Sequence, residues 1–294
     1  MHYHGPIVRP QTDADSLFIE LTVGCTHNSC TFCNFYQGYD FRIAPLAQVE
    51  ADLKEAASVY PKVRKIWASG GNPYCLKTDH LIECGRLFRK YYPDAPVTTY
   101  ARVDDLLRKS VDEMRQIKEA GIDKLVIGIE SGDDEVLAAV KKGYTAADIL
   151  EGCGKLEEAG VPYRVIYLSG LAGHGKAHES AERTVRLLNQ LHPYMMILTT
   201  VAILPGTELY RDWREGRFEE LTERERLDEF KVLMEGLQNP IEVFSATSTN
   251  SQPFWVKLPE ERGEIVAQLE GAIASMTDEK EKLWASRRHR MTTV

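Results

Sequence analysis

The chain has 294 residues, 43% of them hydrophobic, and a formal net charge of −8. That length holds one large α/β domain, or one such domain with a small appendage. The acidic balance excludes a global positive field that would gather nucleic acid. No apolar run approaches the roughly 18–20 residues of a membrane span.

In chain order, "MHYHGPIVRPQTDADS" lacks the apolar core and small-residue cleavage site of a leader, so a cytoplasmic location is expected. There, the six cysteines are expected as thiols or metal ligands rather than disulfides. Short apolar runs predict strands over 16–23, 65–69, 97–101, 124–129, 162–170 and 195–204. Amphipathic stretches between them predict helices over 46–60, 78–92, 110–121, 133–143, 145–160 and 180–191. In the first, Val49, Leu53 and Ala56 share a face. The third has a Ser110 cap and ends on Gly121. Six buried-type strands, each followed by a helix, predict a parallel sheet with right-handed crossovers. The fold class is α/β, a partial (β/α)6 TIM-type barrel. Residues 1–15 form an arm, 16–210 the barrel, and 211–294 a small helical and strand extension covering its open side. In that extension, helices are expected over 222–238 and from Pro259 to residue 276, with a strand and loop over 241–255. The basic run Ser286–Arg290 is expected as a frayed, solvated end.

Residues of chemical character fall where the predicted strands end, the place an α/β barrel builds its site. Cys25 follows the first strand, Gly70-Gly71-Asn72 the second and Arg102 the third, and Glu130 closes the fourth. Cys25, Cys30 and Cys33 have the spacing C-x4-C-x2-C, and the next cysteine is Cys75. Three thiolates on one loop suit a [4Fe–4S] cube with one iron left open. Zinc with His27 as a fourth ligand, or three core thiols, are the other readings of the loop.

Around this loop the chain resembles radical S-adenosylmethionine (SAM) enzymes. The branch is that of oxygen-independent coproporphyrinogen III oxidases and Elongator-type proteins. The resemblance is carried by "VRPQTDADSLFIELTVGCTHNSCTFCNFY", "FRI" (41–43), "IGIESGDDEVLAAVKKGYT" (127–145), "HESAERTVRLLNQLHP" (178–193) and "LPGTELY" (204–210). It implies that Cys25, Cys30 and Cys33 hold a [4Fe–4S] cluster whose open iron chelates SAM. One electron then yields methionine and a 5′-deoxyadenosyl radical that takes hydrogen from the substrate. It further implies that the turn Gly70-Gly71-Asn72 meets the SAM amino group, Glu130 the ribose and Lys142 the SAM carboxylate. Phe32 packs near the adenine, and Arg102 or Tyr100, on one face of a strand, adds a polar contact. Asn72 departs from the branch, which has Gly-Asp there. Tyr36 and Arg42, just past the loop, are candidates for the cavity lining. No catalytic residue beyond these is assigned.

Cys75, Cys84 and Cys153 are too scattered for a second cluster and are expected in the core or its wall. His174 and His178 are expected at the surface. The branch's C-terminal "HASNY-P-KG-L" becomes "STNSQPFWVKLPEER" (248–262), which loses the histidine and keeps Asn250 and Lys257. That departure points to a changed substrate, with Phe254 and Trp255 adding apolar surface. The resemblance implies a small-molecule substrate and an electron donor such as flavodoxin or ferredoxin. A nucleic-acid modifier requires a basic face, and an electron carrier requires four thiolates; neither is visible in the sequence.

Overall fold

The computed structural model describes residues 1–292. The chain opens with β1 (Leu17–Glu20), β2 (Thr22–Val23), β3 (Arg42–Ile43), α1 (Leu46–Val59) and β4 (Ile66–Ser69). Then come α2 (Thr78–Tyr91), β5 (Val97–Ala101), α3 (Val103–Leu107), α4 (Val111–Ala120) and β6 (Lys124–Glu130). Next are α5 (Asp134–Ala139), α6 (Ala146–Glu158), β7 (Tyr163–Ser169), α7 (Ala177–Leu188) and β8 (Met195–Thr200). The last elements are α8 (Glu208–Arg214), α9 (Glu223–Gly236), β9 (Ile241–Phe244), β10 (Trp255–Leu258), α10 (Arg262–Ala274) and α11 (Asp278–His289).

Eight strands form one open sheet in the order β1-β4-β5-β6-β7-β8-β9-β10. The pairs β1–β4, β4–β5, β5–β6 and β8–β9 are parallel, and β10 runs antiparallel to β9. All four side chains of β4 are buried, as expected where helices cover both faces of a parallel strand. The expected partial TIM-type α/β fold is the one observed, with the sheet unclosed.

Local departures from the sequence reading have physical causes. The strand expected over 16–23 divides at Leu21. Its parallel partner β4 ends at Ser69, and the last bond of that run is Leu21 N–H to the Ser69 carbonyl at 2.9 Å. Thr22 and Val23 need other backbone partners. They find them in Ile43 and Arg42, antiparallel. The run 195–204 likewise leaves the ladder after Thr200. The helix expected from Pro259 begins at Arg262, and β10, which starts where the strand and loop expected over 241–255 end, adds an edge strand. Ser110 and Glu113 form the reciprocal cap of α4, and Gly121 ends it at φ +130°.

The basic tail is corrected. Residues 286–289 belong to α11, and Arg288 is 1% exposed. Its guanidinium donates to the Thr249 carbonyl at 3.3 Å and pairs with Glu223, while Glu220 lies 3.6 Å from its Nε. Buried carboxylates demand a counter-charge, and this arginine supplies it.

The chain divides into two compact units. The first comprises Met1–Asn28, Phe35–Gly128 and Glu151–Arg164. Residues near its N-terminus reach β1 and β4. Tyr3 OH donates to the Phe18 carbonyl at 2.8 Å, and the buried Trp67 indole donates to the Val8 carbonyl at 3.2 Å. The buried Asp13 carboxylate pairs with Arg164 at 2.8 Å. The second unit comprises Ser29–Asn34, Ile129–Leu150 and Val165–Val294. Val136, Val140, Leu171, Val201 and Leu209 form a core cluster there, with Phe32 packed against it.

Candidate functional site

In the first unit, three turns follow the parallel strands β1, β4 and β5 at their carboxyl ends, the first by way of β2. After β2, Gly24 adopts φ +81° and Cys25 follows, half-buried. After β4 come Gly70, at φ +151°, and Gly71. A Cβ on Gly71 would stand 2.4 Å from the Gly24 carbonyl oxygen and 2.8 Å from the Cys25 Cβ, so only glycine lets the two turns meet. The Gly71 N–H donates to the Gly24 carbonyl at 3.0 Å.

Asn72 is fully buried. Its Oδ1 accepts from the Thr26 N–H at 3.0 Å, and its Nδ2 donates to Thr26 Oγ1 at 2.8 Å and to Asp105 Oδ2 at 2.9 Å. Asp105 also accepts from the Arg102 backbone N–H at 2.9 Å, capping α3. Burial pushes the Asp105 carboxyl up to about 6, against the hydrogen bonds from Arg102 and Asn72 that favour its anion. Arg102 is buried, and its Nε donates to Asp104 at 2.8 Å. Tyr100 packs edge-on against Trp67, ring centroids 4.8 Å apart.

In the second unit, the later half of the cysteine loop carries Cys30 and Cys33, both half-buried. Thr31 anchors it: its N–H donates to the Val140 carbonyl at 3.1 Å, and its carbonyl accepts from the Leu209 N–H at 2.8 Å. Glu130, the last residue of β6, is buried in the left-handed region at φ +62°. That conformation costs a non-glycine residue on the order of 1 kcal/mol and is found most often where geometry serves a site. Its Oε1 accepts from Lys142 Nζ at 2.8 Å, with both side chains about nine-tenths buried. The Lys142 ammonium also stands 5.8 Å from the Phe32 ring centre and 5.7 Å from that of Tyr144. Lys141, at φ +54°, reverses the chain after α5, turns outward and pairs with Glu208 at 2.7 Å. Of the two lysines, Lys142 is the buried one.

The donor set fits a cluster held on one loop. The three loop thiols are half-buried, whereas Cys84 and Cys153 are fully buried. Burial pushes the Cys75 and Cys84 thiols up to about 12 and raises that of Cys153 as well, which suits inert wall and core positions. Among the described residues, no three His, Cys, Asp or Glu side chains gather to hold one metal ion. Thiolates on a cube each bind a different iron.

Other candidates fall elsewhere. Tyr36 is buried and Arg42 exposed. His174 and His178 are surface residues 2.8 Å and 2.7 Å from Glu225 and Asp228. Asn250 is buried and donates to the Leu198 carbonyl at 2.8 Å, so its loop is tied to β8. Trp255 is exposed and Phe254 buried.

Three groups escaped the sequence reading. Neither Thr26 nor Asp105 stands out in the sequence; the signal for Asp105 is its place at the third position of a helix that starts at a strand's end. Glu229 sat in an amphipathic helix. It is buried, accepts from Tyr167 OH at 2.5 Å, from the Ser169 hydroxyl and from Gly170 N–H at 3.1 Å, and burial pushes it up to about 7.

Comparison with known proteins adds the wider context. The model described as the Radical SAM superfamily matches residues 19–188, more than half of the chain. The tRNA uridine(34) acetyltransferase of Methanocaldococcus infernus is 23% identical over 125 residues, covering 40% of this chain and 22% of its own. The heme chaperone HemW of Bacillus subtilis is 20% identical over 225 residues, covering 73% and 58%. The chain thus spans well under two thirds of either relative. Among solved structures, coproporphyrinogen III oxidase (HemN) from Escherichia coli superposes with a TM-score of 0.56 at 18% identity, covering 74% of this chain and 50% of that one.

Proposed function

The chain belongs to the radical SAM superfamily, and from that premise we propose an enzyme that uses a [4Fe–4S] cluster and SAM to act on a small molecule. When bound, the cluster supplies one electron to SAM and so provides a hydrogen-abstracting 5′-deoxyadenosyl radical. Cys25, Cys30 and Cys33 are the residues that would hold the cluster, as thiolates. The backbone of Gly70, Gly71 and Asn72 receives the SAM amino group, since glycine lets a ligand approach the main chain. Glu130 accepts hydrogen bonds from the ribose hydroxyls. Lys142 presents its charge to the SAM carboxylate. Phe32 shields the adenine side, and Tyr100 and Arg102 border it. The supporting observation is the buried Glu130–Lys142 pair, which the fold holds beside Phe32 of the cysteine loop despite the backbone cost at Glu130.

A substrate-derived hydrogen abstraction makes the reaction an oxidation, a group transfer or a lysis. A net charge of −8 favours a small molecule over tRNA. Residues 211–294 serve as the extension that confines the substrate, and residues 1–15 as the arm. A ferredoxin or flavodoxin supplies the electron. The cytoplasm suits six cysteines that form no disulfide among the described residues.

The test is anaerobic reconstitution with iron and sulfide, dithionite reduction and addition of SAM. We expect 5′-deoxyadenosine and methionine, with both lost in Cys30→Ala. Zinc uptake without a cluster, or a cluster that neither binds nor cleaves SAM, would overturn the proposal.

A further inference from the structure

The departure at Asn72 has a physical reading. All the hydrogens of its amide are committed: one to Thr26 Oγ1, the other to Asp105 Oδ2. Its oxygen accepts from the Thr26 N–H. A side chain in that state, fully buried, has no donor left for a cofactor. What it does have is a grip on the residue directly after Cys25.

We propose that Asn72 and Asp105 are a positioning pair: Asp105 orients the Asn72 amide, and the amide fixes Thr26 and with it Cys25. This rests on the reading of Cys25 as a cluster ligand. Three turns are then tied in sequence. Arg102 N–H and Asn72 Nδ2 both bind Asp105 Oδ2; Asn72 binds Thr26; Gly71 N–H binds the Gly24 carbonyl. Groups behind a metal ligand set its orientation, and their loss weakens the metal site without touching the ligand. The pair also explains why the amide is required. An aspartate at 72 would set two buried carboxylates face to face, and one would have to keep a proton. Here the single charge sits on Asp105, one shell further from Cys25. In the exchanged pair an aspartate at 72 accepts from Thr26 N–H, and an asparagine at 105 keeps its oxygen in the place of Oδ2 to accept from Arg102 N–H and donates to residue 72 from the place of Oδ1, 3.3 Å away.

The experiment compares wild type, Asn72→Asp, Asp105→Asn and the exchanged double variant N72D/D105N, each reconstituted anaerobically. The readouts are bound iron and sulfide, the rate of iron loss to a chelator, the electron paramagnetic resonance of the reduced cluster, SAM affinity and the thermal melt of the apoprotein. Each single variant is expected to lose iron about 10-fold faster than wild type and to shift the resonance. The exchanged pair is expected to restore both. Should one single variant fail to fold, the other and the exchanged pair carry the test. Weakened SAM affinity with unchanged iron retention and resonance would make Asn72 a cofactor contact and overturn the proposal. A lowered apoprotein melt with normal iron loss would make the pair merely structural and overturn it too. A wild-type protein that takes up no cluster would instead overturn the underlying reading.

Discussion

Two buried carboxylates, one in each compact unit, are handled in opposite ways. Glu130 faces a full countercharge, the Lys142 ammonium at 2.8 Å. Asp105 faces only dipoles, the Asn72 amide and the Arg102 backbone N–H, and burial wins, pushing it up to about 6. An ion pair makes each partner dependent on the other. A dipolar cradle holds position with less charge, and leaves the proton affinity raised. The first arrangement suits groups meant to exchange partners with a charged ligand. The second suits groups meant to stay where they are.

The largest test of this contrast is Lys142→Met. It strands Glu130 in a buried site and is expected to cost about 3–5 kcal/mol in denaturant unfolding. The double change K142M/E130Q should recover much of that loss while still abolishing SAM binding. A double variant no more stable than the single one would break the contrast. Next comes pH. Asp105 and Glu229 both have folded-state values raised above their ordinary ones by burial, to about 6 and about 7. These two groups therefore hold more protons in the folded protein than in the unfolded chain across roughly pH 4–7, and their contribution to stability falls as pH rises through that window, then levels off. For Asp105 alone the fall is about 3 kcal/mol. Asp105→Asn should flatten the acidic half of the curve and Glu229→Gln the neutral half, read from urea midpoints at stepped pH. Curves unchanged from wild type would deny both groups their raised values. The smallest effect is expected from Lys141→Ala. Its pair with Glu208 is about half-exposed, so the change should cost under about 1 kcal/mol and leave SAM affinity intact. Comparable losses of affinity at Lys141 and Lys142 would undo the assignment of the inward lysine.

Much of this was legible in the sequence because it rests on local rules. Ser110 and Gly121 announce α4 at its two ends, and buried apolar runs mark β4, β5 and β6. Glycines beside chemical residues flag the ends of strands. What stayed hidden depends on distant partners. Whether Asn72 meets a ligand or a neighbour is decided by Asp105, 33 residues away. Arg288 reads as a solvated tail until Glu220 and Glu223 are seen to need it. The strand expected at 16–23 breaks because its neighbour β4 ends, a fact belonging to another stretch of chain.

The arm has a consequence for the order of synthesis. Arg164, the buried partner of Asp13, is made 151 residues after it. At roughly 5–20 residues per second that is a wait on the order of 10 s. Until then Asp13 lacks the counter-charge it is buried against. The Asp13–Arg164 lock closes only when the first unit's last segment has been made, so an early stretch of the first unit waits on a late one.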